Sequence, residues 1–280
     1  MTVNELLKLG INKLRKNYTD NADNEARWIL ESVLGCKSDY FFFHSDDEVE
    51  SEKIKMFSEK IEKRVSGVPV QYIIGEWDFY GKSFLVGEGV LIPRPETELL
   101  VDFALDYLKD ISNPVVLDLC SGSGCIGLSI AGLIPESKVY LLEKSPDALK
   151  YLLENKEKLA AYNATIIKGD IFDGFDSFNI PCPDLILSNP PYINSDDISK
   201  LQSEVQLEPV MALDGGKDGL DFYRAIADKW LRFCGCAVAV ECGEGQAELI
   251  KNIFSNYYSD VSFVSDFNEI ERVVIGRKDI

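Results

Sequence analysis

Val115-Val116-Leu117-Asp118-Leu119-Cys120-Ser121-Gly122-Ser123-Gly124 is the stretch on which the fold turns. A mostly apolar, β-favouring run enters a glycine turn, and the helical pattern Ile126–Ile134 follows, so a buried strand, a tight turn and a helix are predicted. Strand-like runs recur at Val139–Leu142, Ala164–Ile167, Leu185–Leu187, Ala237–Val240 and Val261–Val264, with a last one at Arg272–Ile275. Helical patterns such as Pro146–Leu159 and Leu220–Leu231 fill most of the gaps. This alternation predicts an α/β fold with a doubly wound, mostly parallel sheet over residues 95–280. In such a sheet ligands lie at the carboxyl ends of the strands where strand order reverses, which is where the first glycine turn belongs.

Upstream the pattern is helical. Leu6, Leu7, Leu9, Ile11 and Leu14 make one apolar stripe, Ala22 to Leu34 a second, and Ile54, Met56, Phe57, Ile61 and Val65 a third. Tyr40-Phe41-Phe42-Phe43 between them reads as core, and the Lys- and Glu-rich run 52–64 as a solvated helix face. Gly67 and Pro69 end the helices. Residues 71–92, rich in Tyr, Ile, Phe and Val and broken by glycines, predict a β-hairpin. The expected organisation is a helical domain over 1–70, a hairpin linker over 71–94 and the α/β domain over 95–280.

Composition narrows the function. In 280 residues, 29 Lys and Arg stand against 47 Asp and Glu, a formal charge of −18, which argues against a surface for nucleic-acid phosphates. Residues 1–80 carry 11 basic and 15 acidic residues and residues 81–280 carry 18 and 32, so neither part has a basic excess. No apolar run reaches the ~18 residues of a membrane span. The first residues lack the apolar block of a signal peptide, so a cytoplasmic protein is expected. Cys36, Cys120, Cys125, Cys182, Cys234, Cys236 and Cys242 lack zinc-site spacing, and His44 is the only histidine. Free thiols and no metal are the expectation.

The turn itself admits two ligands. Gly122-x-Gly124-x-x-Gly127 with Glu143 about twenty residues on satisfies the dinucleotide fingerprint, the acid accepting from ribose hydroxyls. Two features tilt it toward S-adenosylmethionine. Asp118 lies inside the strand, where it can receive an ammonium group directly or through water. Asp170 and Ile171 follow the third strand, where a carboxylate can accept from an adenine amino group and an apolar side chain can cover the ring. Asp118 can equally cap the backbone amides of the turn, and Glu143 can be an acid at a helix start.

Ser188-Asn189-Pro190-Pro191-Tyr192-Ile193 is the most specific motif. Consecutive prolines hold the segment rigid and Asn189 extended, and they leave carbonyls that only accept hydrogen bonds. Asn189 Oδ1 and the Pro190 carbonyl can accept both hydrogens of one planar –NH2 group while Tyr192 packs on its face. Such a group is a poor nucleophile, and two acceptors together with orientation favour its attack on a sulfonium methyl without a metal or strong base.

These motifs resemble the seven-stranded, Rossmann-like, S-adenosylmethionine-dependent methyltransferases that modify amino nitrogens. Gly67–Gly75, Leu91–Glu98, Leu207-Glu208-Pro209 and Arg272–Arg277 narrow the resemblance to the HemK-type release factor glutamine methyltransferases. The resemblance implies methylation of the glutamine amide in the Gly-Gly-Gln loop of peptide chain release factors. It implies cofactor contacts from Cys120, Ser121, Gly122, Ser123, Gly124, Glu143, Ile171 and Asn189, beside Asp118 and Asp170 from the reading of the turn itself. Asn189, Pro190 and Tyr192 would be catalytic, with Pro191 beside them on the substrate. The turn departs from the family at Cys120 and Ser121, where Gly and Thr are frequent, and at Glu143, where Asp is usual. Ile171 stands where an aromatic residue is frequent. The implied partner is a release factor, the implied state a monomer touching neither nucleic acid nor membrane, and the helical domain the substrate-binding part. Two alternatives stay open: an amino-methyltransferase of adenine or cytosine, which the same motif serves, and a non-catalytic module that grips a release factor.

Overall fold

The computed structural model describes residues 1–16, 21–37, 39–233 and 235–277; Cys234, counted among the free thiols, lies outside them. The first apolar stripes fold into α1 (Val3–Arg15), α2 (Ala22–Leu34), a single turn α3 (Tyr40–Phe43), α4 (Ser51–Val65) and α5 (Val70–Ile74). Helix α1 starts on a capping box: Thr2 Oγ1 accepts from Glu5 N at 3.2 Å and Glu5 Oε2 from Thr2 N at 2.9 Å. Leu6, Leu14, Ile29, Leu30, Phe57 and Ile61 bury the shared core of these helices. Three expectations fail here. Val70–Ile74 is helical rather than part of a strand, because Gly75 in the left-handed region closes a helical turn with its N–H on Gln71 O at 2.8 Å. Phe42 and Phe43 are exposed, since a single turn has one inner side and Tyr40 and Phe41 occupy it. Arg64 ends the charged run facing inward, its Nε 2.7 Å from Glu25 Oε2 and its Nη2 on Glu204. Residues 202–207 pack with the helical unit, Met1–Glu76.

The second unit takes Trp77–Leu201 and the chain from Glu208 onward. It opens with a two-stranded hairpin, β1 (Glu76–Phe79) and β2 (Lys82–Leu85). Pro95–Thr97 form a 3₁₀ turn leading into α6 (Glu98–Leu108). Then come β3 (Val115–Leu119), α7 (Cys125–Leu133), β4 (Lys138–Glu143), α8 (Pro146–Lys158), β5 (Ala164–Lys168) and β6 (Leu185–Ser188). The chain closes with α9 (Asp221–Ile226), β7 (Ala237–Glu241), α10 (Ala247–Phe254), β8 (Asp260–Ser265) and β9 (Glu271–Arg277). All seven runs read as strands are strands of one sheet, ordered β5-β4-β3-β6-β7-β9-β8. The pairs from β5 to β7 are parallel, and β9 runs antiparallel between β7 and β8.

Strand residues alternate between two cores. Val116, Leu141, Leu187 and Ala239 pack under α6, α7 and α8, whereas Leu117, Leu142, Ile186 and Val238 pack under α9 and α10. Burial on both faces explains why these strands read as continuous apolar runs rather than alternating ones. Strand order reverses at β3, which has β4 on one side and β6 on the other, so the carboxyl ends of β3 and β6 open a crevice.

Candidate active site

One cavity occupies that crevice. Its wall includes Cys120, Ser121, Gly122 and Ser123 from the β3–α7 turn and Leu142, Glu143, Lys144 and Ser145 from the end of β4. Gly169, Asp170, Ile171 and Phe172 follow β5, and Asn189 and Pro191 follow β6. Four of the predicted site residues, Asp118, Gly124, Pro190 and Tyr192, are not among the residues that line it.

The turn is built by hydrogen bonds to its own backbone. Ser121 Oγ donates to Asp118 O at 2.8 Å, and Gly122 N donates to Glu143 Oε2 at 2.7 Å. Glu143 Oε1 accepts from Ser145 N at 2.6 Å, so the carboxylate fastens the β3 turn to the β4 end while facing the cavity. Burial raises its pKa, and the amides of Ser145, Gly122 and Lys144 oppose that rise. The two glycines do different work. Gly122 has φ +55° and open space where a Cβ would stand. Gly124 has φ +83°, and its Cβ would meet Leu152 Cδ1 at 2.3 Å, so the close approach of the core already requires glycine there. Cys120 also sits in the left-handed region, at φ +60°, and burial holds its thiol protonated.

Asp118 is fully buried. Its Oδ2 accepts from Gly127 N at 3.0 Å, while its Oδ1 has no hydrogen-bond partner. Burial lifts its pKa to about 7, against the pull of the Gly127 amide. One oxygen thus caps the first turn of α7, and the other is a buried acceptor without a partner. Asp170 accepts from Phe172 N at 3.0 Å and pairs with Lys144 Nζ at 2.7 Å. Burial raises its carboxyl, but those two donors bring it below the ordinary range. Ile171 is held by Trp230, whose Nε1 donates to Ile171 O at 2.8 Å.

On the far side, Ser188 Oγ donates to Leu119 O at 2.7 Å and ties the ends of β6 and β3 together. Asn189 Nδ2 donates to Thr97 Oγ1 at 3.1 Å, and Thr97 Oγ1 donates to Glu241 Oε2 at 2.6 Å. The Tyr192 carbonyl accepts from Gln246 Nε2 at 2.9 Å, and burial raises its phenol. Glu208, almost wholly buried, accepts from Ile92 N at 3.0 Å and pairs with Arg94, so the distant Leu91–Glu98 and Leu207–Pro209 motifs join. Thr97 lay inside the Leu91–Glu98 motif without a role of its own, and Glu241 was not singled out by the sequence. The available signal was a lone acid ending the apolar run Ala237–Val240.

Among the described residues, no helix is long and apolar enough to cross a membrane. The cavity is lined by the Glu143 and Asp170 carboxylates, by apolar side chains such as Ile171 and Phe172, and by Asn189 and Pro191 from the loop after β6. Such a site at the switch point of a seven-stranded sheet with one antiparallel strand defines a Rossmann-like methyltransferase. Residues 97–207 match the methyltransferase small domain family and residues 5–75 the PrmC N-terminal domain family. The release factor glutamine methyltransferase of Thermodesulfovibrio yellowstonii is 42% identical over 91% of this chain and 92% of its own. That of Geobacter sulfurreducens is 37% identical over 99% and 96%. A methyltransferase from Pyrococcus furiosus shares the fold with a TM-score of 0.52 at 17% identity, over 80% of this chain and 100% of its own. The chain belongs to the release factor glutamine methyltransferase family.

Proposed function

We propose that this enzyme transfers a methyl group from S-adenosylmethionine to the side-chain amide nitrogen of the glutamine in the Gly-Gly-Gln loop of peptide chain release factors. The observation that carries this reading is the tethering of Asn189. Its –NH2 is committed to Thr97, which leaves Oδ1 as the acceptor the amide needs.

The residues that suit the cofactor are Cys120 to Ser123, Glu143, Asp170 and Ile171 in the cavity wall, with Asp118 behind them. The orphaned Asp118 Oδ1 and the open space at Gly122 fit a cationic, hydroxyl-bearing nucleoside. When bound, the cofactor supplies an electrophilic methyl group on a sulfonium. Asn189 Oδ1 and the Pro190 carbonyl accept the two amide hydrogens of the substrate, and the Tyr192 ring packs on its face. These acceptors stabilise the positive charge that grows on nitrogen, the rigid proline pair holds it in line, and the methylated nitrogen then gives up one of its two protons to water. Desolvation holds the Cys120 thiol well above its ordinary pKa, so it takes no nucleophilic part. A cytoplasmic monomer acting on protein and not on nucleic acid agrees with the acid excess and with the free thiols among the described residues.

Tritium-methyl transfer to a release factor and to its loop Gln→Ala variant tests the reading. Label on the first protein only is expected. Label on both, or on DNA or RNA alone, overturns it.

A further inference from the structure

We propose that Thr97 and Glu241 set the polarity of the Asn189 side-chain amide, so that its oxygen and not its nitrogen faces the substrate. The inference rests on the reading of Asn189 as the amide-binding residue. Three elements meet here: Asn189 follows β6, Thr97 closes the 95–97 turn and Glu241 ends β7. Thr97 and Glu241 are 1% and 3% exposed.

The direction of the relay follows from the donor inventory. An ionised carboxylate only accepts, so the Thr97 hydroxyl spends its single proton on Glu241 Oε2. What remains toward Asn189 is an oxygen lone pair, which only an –NH2 can satisfy, and the amide is thereby fixed with Nδ2 on Thr97. Oδ1 then points away from Thr97. A protonated Glu241 removes the constraint: the carboxyl can donate to Thr97, the hydroxyl proton can swing to Asn189, and the amide can turn over. An amide presented in that sense meets the substrate –NH2 with its own –NH2, two donors facing each other.

The position of Thr97 supports an assigned task. It runs into α6 already in helical geometry, where its hydroxyl makes no capping bond and is engaged by Glu241 and Asn189 instead. A buried acid beside it has a cost unless something uses its charge. The titratable and charged groups facing Glu241 are Arg94 and Glu96 from the turn, Arg272 from β9, Cys125 from α7, and Tyr192, Tyr223 and Cys242. Burial raises its carboxyl to about 7, Glu96 pushes the same way, and Thr97, Arg272 and Arg94 pull it down. Its charge therefore changes close to neutral pH.

Thr97→Val, which keeps the shape and removes the hydroxyl, is the first variant. It should lower kcat on a release factor by about 10–100-fold, as loss of a positioning partner does elsewhere. KM for the release factor and calorimetric affinity for S-adenosylmethionine should stay at wild-type values, and Thr97→Ser should recover most of the rate. The second readout is independent of turnover. In 15N-labelled enzyme, the Asn189 side-chain amide signals, assigned by their loss in Asn189→Ala, should shift with pH around neutrality, and the shift should vanish in Glu241→Gln. Wild-type kcat in Thr97→Val, or Asn189 signals that ignore pH or titrate alike in Glu241→Gln, overturns the proposal. Full activity of Asn189→Ala would instead sink the amide-binding reading, while the resonance titration still decides whether the relay exists.

Discussion

Asp118 keeps its proton to about pH 7 where an ordinary aspartate loses it near 3.8, because folding buries it. Its pKa is thus higher in the folded than in the unfolded chain. The stability it contributes is intact below about pH 4 and is lost as pH rises through about 7. The ligand-free enzyme should therefore become easier to unfold in denaturant between those values, and Asp118→Asn should flatten the decline. A cation reaching Oδ1 would favour the ionised form. Calorimetry of S-adenosylmethionine binding near pH 6.5, in buffers of different ionisation enthalpy, should show proton release that Asp118→Asn abolishes. At Asn189 the expectation is kinetic. Asn189→Ala should raise the barrier by ~2–4 kcal/mol, the scale of one preorganised active-site contact, with cofactor affinity nearly untouched. Unchanged kcat would refute its assignment.

The β3–α7 turn shows how one element divides structure from binding. Gly122 and Gly124 both sit at positive φ, but only Gly124 is crowded by the core. Gly124→Ala should cost about 2–4 kcal/mol in denaturant unfolding, from left-handed strain and overpacking together. Gly122→Ala should cost about 1–2 kcal/mol from strain alone and act mainly on cofactor affinity. Equal destabilisation by the two would contradict the geometry. The sheet was legible because parallel strands buried on both faces advertise themselves as apolar runs. The turn was legible because glycine spacing is local. Tyr72-Ile73-Ile74 misled because β-favouring residues were recruited into a helical turn by Gly75 and by packing of Ile73 into the helical core. Arg64 misled because its partners, Glu25 and Glu204, lie far away in sequence. For the same reason no local pattern marks the link from Thr97 to Glu241, which spans 144 residues. Side-chain networks are made by topology, and topology is the part of a fold that short-range sequence states least.

Over the whole molecule, acid outnumbers base throughout the sequence, and most of the −18 falls after residue 80. A release factor domain that works against ribosomal RNA should be basic, so the enzyme should draw it in by electrostatic steering. Association rates should then fall as salt is added, and rates indifferent to salt would count against steering. The sheet order carries a different consequence. Strand β9 lies between β7 and β8, so neither neighbour is paired on that side until residues 271–277 arrive. Without β9, Ala237-Val238-Ala239-Val240 would be a bare apolar edge, the kind that pairs with other chains. Glu241 pairs opposite Val273 in the same ladder. One strand thus both covers an edge that would otherwise be a liability and holds the acid behind the active site in register.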